Sequence, residues 1–107
     1  MKKAVAFTYL VKNTKDNTYK IGYTRSNPST RLKAIQTGSS GLLELISYNR
    51  TEHGQLIERT LHNRFQCDNT NGEWFELPIS IEVEFETLCT QLESNFKMLA
   101  DCGNKFI

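Results

Sequence analysis

The sequence predicts an α+β fold in which a small antiparallel or mixed sheet of three to four strands is flanked by helices, in the order ββαβα(β)α. Two segments rich in β-branched and aromatic residues flank a polar turn near the N-terminus, and three later segments have helical apolar spacing. The length of 107 residues suits one domain. We therefore expect residues 1–107 to form a single domain, with residues 79–107 as a C-terminal helix packed on it.

The first two strands are predicted at 4–12 and Thr18–Thr24, joined by the turn sequence NTKDN at 13–17. Side chains alternate along a strand, so Lys20 shares a face with Gly22 and Thr24. A glycine within a strand usually marks the close approach of another backbone or a ligand. The pattern predicts a hairpin that presents a cation beside open space.

The first helix is predicted to follow this hairpin directly. Asn27 is suited to cap it, Pro28 suits its first position and Gly38 ends it. A third strand is expected at 42–49, and a second helix at 53–65 because its apolar residues recur every fourth position.

The C-terminal third contains the last predicted elements. Residues 67–72, CDNTNG, are expected to form a loop, and residues 73–78 a short extended segment. The last helix begins near Ser80, and Gly103 is its predicted stop.

Charge is divided unevenly along the chain. Residues 1–37 carry a formal net charge of +7 and residues 38–107 one of −6, although the whole chain has only +1. This favours either a polyanion-facing surface built from the N-terminal elements or a set of solubilising lysines.

Composition excludes several classes of protein. No apolar segment approaches the ~20 residues of a membrane span, and the N-terminus is typical of a strand rather than a signal peptide. The odd number of cysteines, at Cys67, Cys89 and Cys102, argues against a disulfide framework or zinc knuckle and favours buried free thiols. We expect a cytoplasmic protein with no membrane partner.

Three side chains on the predicted helices are suited to chemistry. Glu58 and His62 are four residues apart and lie on one helical face beside its buried stripe, where a structural carboxylate–histidine pair is the simpler interpretation. Arg31 lies near the start of the first helix. It is either a solvated side chain or a guanidinium aimed at a phosphate.

Taken together, these residues resemble the GIY-YIG nuclease superfamily. TYL at 8–10 stands where that family has GIY, and KIG at 20–22 stands where it has YIG. An Arg-Leu pair at 31–32 and the helical Glu58 follow in the family's order. The runs IERTLHNRF and NGEWFEL are similar to a phage- and bacterium-associated branch with YKIG, E-x-x-x-H and EWF. The resemblance covers about residues 6–77.

The resemblance implies a role for each matched residue. Tyr9 corresponds to the tyrosine that acts as general base or positions the water. Arg31 corresponds to the arginine that holds the scissile phosphate, and Glu58 to the ligand of one divalent cation, Mg²⁺ or Mn²⁺. Gly22 corresponds to the glycine that leaves room for the backbone.

Two positions depart from the family pattern. Thr8 replaces the first glycine, and Lys20 stands in place of the second tyrosine, as in some restriction-enzyme members, with Tyr19 one step earlier. A free tyrosine has a pKa of about 10 and is a poor base at neutral pH. We expect Lys20 either to lower the pKa of Tyr9 from the neighbouring strand or to contact the phosphate itself.

Other residues are assigned to the site with less specific roles. His62 is expected to orient the substrate or relay a proton, with a buried, hydrogen-bonded histidine as the alternative. The predicted substrate-binding residues are Gly22, Thr24, Lys33 and Tyr19. The candidates for the family's later asparagine are Asn69, Asn71 and Glu73.

The resulting hypothesis is a small divalent-metal-dependent DNA endonuclease of a bacterial or phage-infected cell. One alternative is a catalytically inactive nucleic-acid-binding module. Another is a phage-type interaction factor that engages a host protein through its acidic C-terminal helix. At this length we expect no appended DNA-reading domain, and hence weak sequence preference, or specificity supplied by a homodimer or protein partner.

Overall fold

The computed structural model describes residues 5–39 and 41–101, without the side chain of Asn71. The structure confirms the α+β class. The elements in chain order are β1 (Ala6–Asn13), β2 (Thr18–Thr24), α1 (Pro28–Thr37), β3 (Leu43–Thr51), α2 (Gly54–Arg64), β4 (Asn69–Asn71), β5 (Trp74–Phe75) and α3 (Ile81–Asp101). Three predicted features lie outside the described residues: the strand start at residue 4, Cys102 and the helix stop at Gly103.

The sheet has five strands rather than the predicted three to four. Its order is β3-β1-β2-β5-β4, and every pairing is antiparallel. The extra strand β4 lies within the segment 67–72 that was predicted as a loop. Gly72 has a φ of 59° and so allows a tight reversal. The Asn69 side chain donates to the carbonyls of Gly72 (2.7 Å) and Trp74 (3.0 Å), which holds the reversal closed.

The helix boundaries follow the predicted signals closely. The Asn27 side chain caps α1 by accepting a hydrogen bond from the backbone N–H of Ser29 at 2.8 Å, and Pro28 is the first helical residue. Of the two cysteines in the described part of the chain, Cys89 is buried as expected, whereas Cys67 is exposed. None of the helices within the described ranges combines the length and apolar character needed to cross a bilayer.

Helices cover both faces of the sheet. On the face termed the α1 face, α1 packs over a small core formed by Tyr9, Val11 and Leu43 with the partly buried Leu32, Ile35, Leu45 and Trp74. On the opposite face, termed the α2/α3 face, α2 and α3 enclose a larger core that includes Leu10, Tyr19, Ile21, Ile57, Leu61, Phe75 and Phe85. Alternation along each strand divides its side chains between these two cores.

The register of the β1–β2 hairpin places the predicted site residues on one face. Tyr9 lies opposite Gly22, and Val11 lies opposite Lys20. Tyr9, Gly22 and Lys20 therefore share the α1 face, which confirms the expected coincidence of their faces.

Candidate active site

Tyr9 occupies the space beside Gly22 that the sequence predicted to be open. A Cβ atom added at Gly22 would lie 2.5 Å from the Tyr9 hydroxyl oxygen and 2.6 Å from Cζ. The prediction of open space was therefore wrong, because the ring of the facing residue fills it. Gly22 is the residue that allows the phenol to cross β2 toward its far edge.

Arg31 is the cation that acts on the Tyr9 hydroxyl. Its exposed guanidinium, in the first turns of α1, lies close enough to the phenol to favour a lower pKa of Tyr9. Burial raises the pKa of Tyr9 above its ordinary value, and Arg31 offsets that rise only in part. Of the two roles expected for Lys20, the lowering of this pKa is not seen, because the cation that acts on Tyr9 is Arg31 and burial of the 2 %-exposed ring outweighs it.

Two side chains of α2 close the outer edge of β2. β5 pairs with β2 only at Tyr19 and Lys20, so in the described residues the outer edge of β2 from Ile21 onward has no neighbouring strand. The backbone N–H of Tyr23 donates to Glu58 Oε2 at 3.1 Å, and His62 Nε2 lies 2.7 Å from the carbonyl oxygen of Ile21. A carbonyl only accepts, so Nε2 carries the proton of this hydrogen bond, and Nδ1 is the ring nitrogen left for another partner.

The β4–β5 hairpin brings Glu73 to the same place. The Lys20 ammonium lies 2.6 Å from Glu73 Oε2 and 5.9 Å from the centroid of the Trp74 ring. Lys20 is only 8 % exposed, so this ion pair is largely shielded from water on the lysine side. Glu73 was named in the sequence only as one candidate for the family's later asparagine. Nothing in the sequence signals that β5 pairs with β2 at Lys20, which is what brings Glu73 to the site.

Glu58, His62 and Glu73 form a cluster of potential metal ligands. Each offers one ligand atom, and these atoms all lie within 4.8 Å of one another. Opposed ligands of an Mg²⁺ ion are about 4.2 Å apart, so these atoms would hold a single divalent cation after at most a small inward movement of the side chains. Two carboxylates suit Mg²⁺ or Mn²⁺, and an imidazole favours the transition metal.

The electrostatics of Glu58 point to the same need for a positive charge. Burial first, and then the neighbouring Glu73 carboxylate, raise the pKa of Glu58. His62, the Tyr23 N–H and Lys20 act in the opposite direction without cancelling this rise. A cation between the two carboxylates would relieve their repulsion.

The remaining predicted substrate-binding residues lie apart from this cluster. Thr24 Oγ1 accepts from the backbone N–H of Ser26 at 3.1 Å and thereby organises the turn after β2. Lys33 is exposed on α1, and residues two apart on a helix point in different directions. Tyr19 lies on the α2/α3 face, where its hydroxyl donates to Glu82 Oε2 at 2.6 Å.

The candidates for the later asparagine differ in position. The Asn69 side chain is used within its own turn, and the side chain of Asn71 lies outside the description. Glu73 is the candidate whose carboxylate reaches Lys20, Glu58 and His62.

Comparison with known proteins assigns the chain to a family. The T5orf172 domain matches residues 6–92, which include every residue of this site. The chain belongs to the T5orf172 domain family. This domain is tied to nuclease-like proteins of phages and bacteria. No curated protein and no solved structure matches the chain significantly.

The T5orf172 domain in this chain thus has an acidic and a basic side to its site. The acidic side consists of Glu58 and His62 on α2 together with Glu73 on the β4–β5 hairpin. The basic side consists of Arg31, which lies beside Tyr9. Tyr9 is coupled to both sides, because its pKa responds to Arg31, Glu73 and Glu58. A carboxylate site for a cation beside a guanidinium for an anion is suited to a bound phosphate.

Proposed function

We propose that this T5orf172-family chain is a metal-dependent DNA endonuclease of the GIY-YIG type, which hydrolyses phosphodiester bonds with one Mg²⁺ or Mn²⁺. The observation that carries the proposal is the convergence of a phenol, a guanidinium and a two-carboxylate cluster from separate segments of the chain. Phosphodiester cleavage needs an oriented water, a cation for the phosphoryl oxygens and help for the leaving oxygen.

The metal would be held by Glu58, Glu73 and Nδ1 of His62, and it supplies positive charge on the leaving-group side. The hydrogen bond from His62 Nε2–H to the Ile21 carbonyl orients the ring for this role. Both Glu58 and His62 are anchored to the edge of β2, so their positions are fixed before any ligand binds.

Arg31 and Tyr9 serve the opposite side of the phosphate. The exposed Arg31 guanidinium binds the phosphoryl oxygens. Since burial raises the pKa of Tyr9, its phenol stays protonated at neutral pH and acts by positioning the attacking water rather than as a base. Lys20 adds a second positive charge beside Glu73.

The two departures from the family motifs have different consequences for this proposal. Thr8 is fully buried on the α2/α3 face, where its hydroxyl lies 3.4 Å from Cys89 Sγ. Replacement of the motif glycine by Thr8 therefore leaves the site unaltered. Lys20 lies within the site, so the second tyrosine is replaced there by a cation that pairs with a carboxylate.

Nicking of supercoiled plasmid tests the activity. We expect Mg²⁺- or Mn²⁺-dependent nicking that falls by about 10²–10³-fold in Glu58→Gln and in Arg31→Lys. Lys33→Gln, which removes a charge from the same helix, is the matched control and should change the rate by less than about twofold. Titration calorimetry with Mn²⁺ alone should show one site that is lost in Glu58→Gln.

Two results would contradict the proposal. Nicking that persists in chelator or in Glu58→Gln would remove the metal cluster from the mechanism. Salt-sensitive DNA binding without any cleavage would support the non-catalytic module instead.

A further inference from the structure

Tyr48 lies on the α1 face beside the proposed active site but outside the cover of α1. It is directly opposite Tyr9 in the β1–β3 pairing, and Arg50 is directly opposite Phe7. Its side chain is 53 % exposed, which makes it the most open aromatic residue in the two described ranges, 5–39 and 41–101. Hydrophobic burial therefore does not explain its position.

The ring of Tyr48 is held in a defined orientation. Its centroid lies 6.0 Å from that of Phe7, and the two planes meet at 72°, an edge-to-face arrangement. Phe7 is partly buried and sits in the strand between Tyr48 and the end of β2. Tyr48 thus packs against Phe7 and presents the rest of an amphipathic ring to solvent.

One exposed arginine, Arg50, shares this surface with Tyr48, and two more lie toward β2 and α1. Arg50 is exposed beside Phe7, Arg25 is exposed just after β2, and Arg31 is exposed at the active site. The ion pairs formed within the described part of the chain involve none of these arginines. An aromatic surface bordered by unpaired cations is typical of sites that bind single-stranded nucleic acid.

We propose that Tyr48 stacks on an unpaired base of the DNA strand whose phosphate Arg31 holds, an inference that rests on the proposed function. Neighbouring strands are about 4.8 Å apart, so the backbone at Tyr48 lies about 10 Å from Gly22, across β1. The proposed site lies beyond Gly22, at the outer edge of β2, so the stacked base belongs to a nucleotide near the scissile phosphate rather than to the phosphate's immediate neighbour. A base within a duplex has both faces covered by its neighbours, so the substrate has a single-stranded or unpaired segment near the cleavage position.

Equilibrium binding in chelator separates this inference from hydrolysis. A labelled single-stranded oligonucleotide and a fully paired duplex of the same length serve as probes in fluorescence anisotropy. Tyr48→Ala and Tyr48→Leu should weaken single-strand binding by about 5- to 150-fold, because one stacked base is lost. Tyr48→Phe retains the ring and should bind within about twofold of the unaltered protein.

Two further readouts distinguish stacking from general damage. Duplex affinity should change by less than about twofold in Tyr48→Ala, and quenching of a 2-aminopurine base by the protein should be lost in Tyr48→Ala and kept in Tyr48→Phe. Val83→Ala, a change at an 81 %-exposed residue of α3, is the matched control and should leave both affinities unchanged.

The inference fails if Tyr48→Ala binds single strands as tightly as the unaltered protein, or if single-strand and duplex affinities fall equally. It also fails if sedimentation reveals a dimer that Tyr48→Ala dissociates, since a second copy would then be the occupant. Failure in any of these ways leaves metal-dependent nicking intact. Nicking that survives Glu58→Gln would sink the nuclease proposal, whatever the binding data show.

Discussion

The β1–β2 hairpin contains two tyrosines that are equally buried but have different polar neighbours. Tyr9 and Tyr19 are each only 2 % exposed. Burial is the largest cause that raises the pKa of each phenol. They lie on opposite faces of the sheet, so one phenol faces α1 and the other faces α3.

The partners decide what each phenol is able to do. Tyr19 donates to Glu82, which also pairs with the Lys12 ammonium at 3.1 Å, so the charges of this cluster balance within the fold. The cation beside Tyr9 is Arg31, which forms no ion pair with a carboxylate in the described residues. The Tyr19 cluster is complete by itself, whereas the Tyr9 side retains a positive charge suited to an anion from outside.

The largest expected effect comes from removing one hydroxyl at a time. Tyr9→Phe should lower nicking by about 10²-fold, because the attacking water loses its positioning group. Tyr19→Phe should leave the rate nearly unchanged and cost about 1 kcal/mol of unfolding free energy through the lost hydrogen bond to Glu82. Plasmid nicking and urea denaturation of both variants measure the contrast. Equal losses of activity in the two variants would show that the face of the hairpin does not matter.

An intermediate effect is expected from Gly22→Ala. The added methyl meets the Tyr9 hydroxyl and Cζ well inside van der Waals contact, so the ring must move. We expect a loss of about 1–3 kcal/mol in stability together with reduced nicking.

Gly38→Ala is the matched control for this change. The nearest atom to an added Cβ there is the Ile35 carbonyl oxygen at 4.0 Å, and φ is −98°. Its melting temperature should stay at or slightly above that of the unaltered protein. Normal activity in Gly22→Ala would mean that the Tyr9 position is not constrained by β2.

The smallest expected effect is a pH dependence in the Tyr19 cluster. The Tyr19 hydroxyl and the Lys12 ammonium hold the pKa of Glu82 below its ordinary value of 4.5. The stabilisation is therefore fully present above pH 4.5 and is lost as the pH falls through the lowered folded-state pKa. Glu82→Gln should flatten this part of the stability curve and lower the melting temperature at pH 7 by about 2–4 °C. Thermal melts between acid and neutral pH measure it, and an unchanged acid slope in Glu82→Gln would contradict it.

Much of this fold was predictable because its local signals agree. Asn27 and Pro28 mark the start of α1, and Thr18–Thr24 reads as a strand from its β-branched and aromatic content. β4 was not predictable, since Asn69 and Gly72 indicate a reversal without indicating that the flanking residues pair.

The site was predictable only in part, for a similar reason. Tyr9, Arg31 and Glu58 belong to motifs that can be read along the chain. Glu73 reaches the site through a two-residue pairing between distant strands, and such long-range pairing leaves no local pattern. The pKa of Tyr9 depends on how deeply a ring is buried, which the sequence does not state.

The attachment of Glu58 and His62 to the outer edge of β2 would link the proposed activity to solubility. These two side chains form hydrogen bonds with a backbone N–H and a carbonyl that could otherwise pair with a strand of another molecule. A variant that truncates both side chains should expose an unpaired strand edge as well as lose the proposed activity, so selection against aggregation and selection for that activity would act on the same pair.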